Sequence, residues 1–138
     1  MHGYDTSALV GTLLEENRVL VDKICAAIDC SREEVPNALE EVVRFMILVA
    51  NHKDRRLTPA HRVDLVWHEF ILCTRAYCAF CETHFDRMIH HQPGGSNEEN
   101  RAQFLETVLL YKQSFGPPNE SYWGTHRRMP DCGACESF

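Results

Sequence analysis

At 138 residues the chain has the size of one domain, and its 44% hydrophobic and 25% charged residues fit a folded globular protein rather than a disordered one. A formal charge of −6, with short basic clusters at Lys53-Asp54-Arg55-Arg56 and His126-Arg127-Arg128, excludes a general nucleic-acid binder, which needs a concentrated basic face. The longest apolar run, Phe45 to Ala50, falls far below the roughly 20 residues of a membrane span.

Met1-His2-Gly3-Tyr4-Asp5 lacks a basic patch followed by an apolar stretch, so the expected location is the cytoplasm, where disulfides are a poor account of seven cysteines. Leu9, Leu13, Leu14, Leu20, Val21, Ile24 and Ile28 recur at three- and four-residue spacing, which predicts a first helix from about Asp5 to Ile28. Ser31, Glu33-Glu34 and Pro36 open a second helix. Its dense apolar run through Leu39, Val42, Val43, Phe45, Met46 and Val49 implies a central place. After a polar loop, Thr58-Pro59 reads as the N-cap and first position of a third helix reaching about Phe85, unbroken or kinked near Arg62 to Asp64.

Proline and glycine make Arg87 to Gly95 a loop. Ser96 with Glu99 is a capping box, launching a helix through Phe104, Leu105, Val108, Leu109 and Tyr111 that Gly116-Pro117-Pro118 stops. No segment has strand period. The expected fold is all-α: a compact bundle of four to five helices over residues 1–118, with an irregular C-terminal tail, 119–138, packed on the same domain.

The residues with chemistry are histidines and cysteines. Asp64 and His68 stack one turn apart on the third helix, where a carboxylate can orient a metal-ligating imidazole from behind or form an ordinary surface pair. Cys78, Cys81 and His84 recur every third residue. Cys78 and Cys81 also lie on a stripe with Trp67, Ile71, Thr74 and Phe85, which favours core placement for Cys78 and leaves Cys81 evenly balanced. His90-His91 sits in a loop, where at most one of two adjacent imidazoles is a comfortable ligand.

Cys132-Gly133-Ala134-Cys135 has the spacing of a metal knuckle, with a redox dithiol and a functionless tail as the competing readings. The zincin pattern is broken, because Leu72 stands where a second histidine would follow His68-Glu69.

Asp64, Trp67-His68, Phe70-Ile71-Leu72, Thr74, Tyr77, Phe80-Cys81 and Ile89-His90-His91-Gln92-Pro93 together resemble the small bacterial relatives of the glycine-rich domain-containing proteins. The helical core of that family carries an Asp, a Trp-His pair, a Tyr and a Cys at comparable spacing. The resemblance covers Leu57 to Pro93 and brings no reaction with it. It implies that Asp64, Trp67, His68, Cys81, His90 and His91 are site positions. This chain has no long glycine-rich segment, so a function residing there would be absent.

The resulting expectation is a small metal-binding protein. Its ion is zinc, with iron or copper as alternatives, and its ligands come from His68, Cys81, His90, His91, Cys132 and Cys135, with Asp64 supporting. Whether the metal is structural or catalytic, and so whether the protein is an enzyme, stays open; Glu69, Glu82 or Asp64 would be the nearest base. The alternative is a metal-free interaction module in which Trp67, Tyr77 and Phe80 are core while Trp123 and the tail dock a protein partner.

Overall fold

In the computed structural model, which describes residues 3–92 and 94–124, the described chain is helix and connecting loop with no β-strand. Asp5 caps α1 (Thr6–Glu16), its carboxylate accepting the Ala8 N–H at 3.1 Å. The long first helix expected from the apolar spacing is two helices. Asn17 commits its backbone N–H and its side-chain amide to the Leu13 carbonyl, each at 3.0 Å, and the chain restarts as α2 (Val19–Ile28). A side chain that competes for helix carbonyls can end a helix while the hydrophobic period runs on.

A 3₁₀ turn, Arg32–Glu34, leads into α3 (Val35–Asn51) with Pro36 in its first turn. Ala38, Leu39, Val42, Val43, Phe45, Met46, Ile47 and Leu48 are fully buried, because α3 is packed by α1, α2, α4 and α6. This is the central helix its composition predicts.

The third expected helix starts later and breaks elsewhere. Its first part, α4 (His61–Leu72), has Ala60 at the N-cap, while Thr58 is buried against α6 (Asn97–Phe115). There the Thr58 N–H donates to Thr107 Oγ1 at 3.1 Å and its hydroxyl to Gln103 Oε1 at 2.9 Å, so Thr58 ties loop to helix instead of capping one. The chain runs straight through Arg62 to Asp64 and breaks at Cys73, before α5 (Thr74–Phe85). That break rotates the face α5 presents. Tyr77, Phe80, Cys81 and Phe85 turn inward, and Cys78, expected in the core, is exposed.

The Ser96–Glu99 capping box opens α6 as expected, and Gly116 at φ 87° ends it. Beyond it the chain forms a short helix that the sequence does not announce, α7 (Glu120–Trp123), capped by Asn119. Tyr122 and Trp123 are each 1% exposed, so the packed bundle extends past residue 118. Trp123, which the metal-free alternative has docking a partner, donates its indole N–H to Glu41 at 2.8 Å inside the core. The described residues thus hold seven α-helices rather than four or five. No helix among them is long and apolar enough to cross a membrane.

Candidate metal centre

Two elements bring the site together. On α4, Asp64 and His68 lie one turn apart, with His68 Nε2 3.5 Å from Asp64 Oδ2; the carboxylate is buried and the imidazole half exposed. Helical spacing alone accounts for this pair. The second element is the loop after α5, where Asp86 takes a left-handed conformation at φ 59° and turns the chain back over α4.

Buried hydrogen bonds fix that loop. The Tyr77 hydroxyl donates to the Ile89 carbonyl, and Trp67 Nε1–H donates to the Tyr77 oxygen at 3.0 Å. Burial holds the Tyr77 hydroxyl well above the usual phenol range, so it remains a donor. With Ile89 anchored, the His91 ring rests on Trp67 at 4.7 Å between centroids and meets the edge of His68 at 4.3 Å. Its Nε2 lies 2.7 Å from Asp64 Oδ1 and 2.8 Å from His68 Nε2. The following turn uses Gly94 and Gly95 at φ 139° and 77°, which lets the chain reach the Ser96 cap so soon after His91.

Proton bookkeeping at this junction is awkward. An imidazole Nε2 carries either a hydrogen or a lone pair. If His91 Nε2 accepts from His68, its lone pair abuts a carboxylate oxygen at 2.7 Å. If both Nε2 atoms carry hydrogens, two N–H groups face each other at 2.8 Å. With Asp64 ionised, one hydrogen on His91 Nε2, split between Asp64 and His68, avoids both clashes. A cation at the centre would be faced by all three side chains at once. Bonds of about 2.0–2.1 Å to a tetrahedral ion leave ligand atoms about 3.3 Å apart; here His91 Nε2 is 2.8 Å from His68 Nε2 and 2.7 Å from Asp64 Oδ1, while the 3.5 Å approach of His68 Nε2 is to the other carboxylate oxygen, Oδ2.

Among the described residues, Asp64, His68 and His91 are the one group of three His, Cys, Asp or Glu side chains whose ligand atoms all lie within 4.8 Å of one another. Asp64 is therefore in the position of a direct ligand, facing both imidazoles, rather than standing behind one of them. Cys81 lies outside the group: it is fully buried, and burial pushes its thiol pKa up, which disfavours the thiolate a metal needs. His90 is exposed and also outside it. His84 packs on Phe80 at 4.7 Å, its pKa lowered by burial. Cys132 and Cys135 lie outside the described residues. Trp67, which the resemblance added, is the plank beneath His91.

The centre borders a cleft of about 340 Å³. Asp64, Trp67 and His91 line it together with Arg56, Arg87 and Asn100; Glu69 and Glu82, considered above as bases, do not. An ion held by the three side chains would thus be reachable from the cleft through Asp64 and His91, and from solvent past the half-exposed His68.

No curated protein and no solved structure matches the chain. A family model described as UCP032817-like matches residues 15–107, a span that contains Asp64, His68, His91 and the Trp67 and Tyr77 beneath them. Nothing in that match links the chain to the glycine-rich domain-containing proteins. The match covers more than half of the sequence, and the chain belongs to the UCP032817-like family.

Proposed function

We propose that this is a metal-binding protein in which Asp64, His68 and His91 hold one divalent transition-metal ion, zinc in the first instance, with a coordination position left for water or substrate. The observation that carries this reading is the convergence of two imidazole nitrogens and a buried carboxylate on a single point that one hydrogen serves badly. Three protein ligands with an open position are the pattern of catalytic rather than structural zinc sites. When bound there, the metal would act as a Lewis acid and lower the pKa of its water. Two histidines and one carboxylate are also the ligand set of non-haem iron, so the identity of the ion separates hydrolytic from oxidative chemistry.

Elemental analysis of the purified, dialysed protein tests the proposal. About one equivalent of metal is expected, falling to a small fraction in His91→Ala and Asp64→Asn. His52→Ala should keep its metal, because His52 Nδ1 only meets the Leu48 carbonyl at 2.8 Å. The double change Cys132→Ser and Cys135→Ser distinguishes an open three-ligand site, which keeps its metal, from one that the tail thiolates complete. Equal metal content in His91→Ala and the parent would remove the centre from the protein.

A further inference from the structure

The cleft beside the centre has a charge pattern at odds with the chain as a whole. The protein carries a net −6, yet Lys53, Arg55, Arg56 and Arg87 line this one cleft against the carboxylates Asp64 and Glu99. Both carboxylates are already occupied: Asp64 faces the two imidazoles, and Glu99 accepts the Ser96 N–H at 2.9 Å in the capping box. Arg55 is also occupied, paired with Glu106 on the surface.

Two other donors are not. Asn100 is 2% exposed, and its side-chain Nδ2 has no hydrogen-bond partner. Arg87 donates one terminal nitrogen to the Val49 carbonyl at 3.1 Å, while its Nε is buried without a partner. A buried amide or guanidinium N–H without an acceptor is costly, and such groups call for an explanation. Both residues line the same cleft as the metal centre. Arg56 adds charge to the same lining, hydrogen-bonded to the neutral Gln92 side chain at 3.1 Å and close enough to Glu99 to help lower its pKa.

We propose that this cleft binds a small molecule bearing an oxyanion, a carboxylate or a phosphate, whose charged end accepts from Arg87 and Asn100 while its other end lies against the metal at Asp64 and His91. The inference rests on the metal reading for the second half of that statement and on the cleft alone for the first. A cavity of about 340 Å³ suits a small metabolite rather than a polymer. Trp67 and Phe45 supply an apolar side to the same space.

The test is calorimetric titration of inorganic phosphate and of succinate into zinc-loaded and metal-free protein, with Asn100→Asp, Arg87→Gln and Arg55→Gln alongside. Asn100→Asp and Arg87→Gln should each weaken anion binding by about tenfold or more, since a charge-assisted hydrogen bond is lost or opposed. Zinc stoichiometry should not change in either. Arg55→Gln should change anion affinity little. Tighter binding of phosphate or of succinate identifies which oxyanion the cleft favours, and either supports the proposal.

Failure of the two readings looks different. Anion binding that survives in metal-free protein and is lost in Asn100→Asp keeps the cleft and discards the metal, if zinc itself does not bind. Zinc binding without measurable binding of either anion at millimolar concentration overturns this proposal alone. Anion binding equally strong in the parent and in both cleft variants also overturns it, because the anion would then sit on the metal without the cleft's donors. Asn100→Leu, which removes the unpartnered amide without adding charge, guards against misfolding in Asn100→Asp: folded, zinc-replete protein with undiminished anion binding would again overturn the assignment.

Discussion

Among the described residues two carboxylates are buried to nearly equal extent, Glu41 at 5% and Asp64 at 4% exposure, and their surroundings are opposite. Glu41 accepts the Tyr111 hydroxyl at 2.6 Å and the Trp123 indole N–H at 2.8 Å, with the Arg44 guanidinium 3.9 Å from its other oxygen. Arg44 donates in turn to the Tyr111 oxygen at 2.8 Å. Every neighbour of Glu41 brings a hydrogen, although Arg44 Nε itself is buried without a partner. Asp64 meets two imidazoles that also face each other, and hydrogens run short. Burial does not separate a structural carboxylate from a candidate ligand; the count of donors around it does.

The contrast breaks most visibly at Glu41. Glu41→Ala would strand the Tyr111 hydroxyl, the Trp123 N–H and one face of Arg44 in the core, at a cost of about 3–5 kcal/mol in urea unfolding. Its metal content should equal the parent's. A variant of near-parental stability would show that the network contributes less than its geometry implies, and a loss of metal would show that the two centres are coupled.

Alkaline titration sharpens the comparison next. Burial raises the phenols of Tyr77, Tyr111 and Tyr122 well above their ordinary pKa, with Glu41 adding to the effect at Tyr111 and Glu34 at Tyr122. A phenol that ionises only in the unfolded chain leaves that chain with fewer protons, so stability is present below the unfolded pKa of about 10 and falls above it. The slope approaches about 1.4 kcal/mol per pH unit for each such tyrosine. Flat stability from pH 9 to 11 would contradict the buried, neutral state of these rings.

Metal should stabilise one centre and ignore the other. At a free zinc concentration 100 times the dissociation constant, the parent gains about 2.7 kcal/mol by linkage, and a chelator removes the gain. Asp64→Asn should show no gain with zinc. Glu41→Ala should show the full gain on its lowered baseline. Thermal melts with zinc and with chelator measure all three, and an equal response in Asp64→Asn would place the ion elsewhere.

How much of this was legible beforehand follows from the range of each signal. Helical period and caps act within one turn, so the central α3, the Ser96–Glu99 box and the Asp64–His68 pair could all be read from spacing. The breaks at Asn17 and Cys73 could not, because neither carries glycine or proline and the apolar pattern continues across both. The four-residue α7 is too short to show a period, although its two large aromatics signal that something must bury them. At the site, a carboxylate one turn from an imidazole looks the same whether it supports that imidazole or shares an ion with it. The difference depends on which loop histidine arrives. His91, not His90, arrives there, two residues after an Ile89 carbonyl that accepts the Tyr77 hydroxyl, a contact across 12 residues that no local pattern encodes.

That contact yields the smallest expected effect and the most specific one. Tyr77→Phe keeps the ring, its packing against Phe70 at 4.9 Å and nearly all the buried area, and removes one oxygen. The Ile89 carbonyl and the Trp67 indole N–H both lose their partner, which should cost about 1–2 kcal/mol of stability. A purely structural role would end there, with zinc affinity unchanged in the fraction that stays folded. If the hydroxyl positions the loop, His91 sits two residues beyond a freed anchor and on an indole that has itself lost its bond. Zinc affinity should then fall by about 10–100-fold, the range typical when a group that orients a ligand is removed. Competition with a chromophoric chelator, at a temperature where parent and variant are both folded, reads the two effects apart: a stability loss with parental zinc affinity would confine Tyr77 to the core and leave His91 positioned by Trp67 alone.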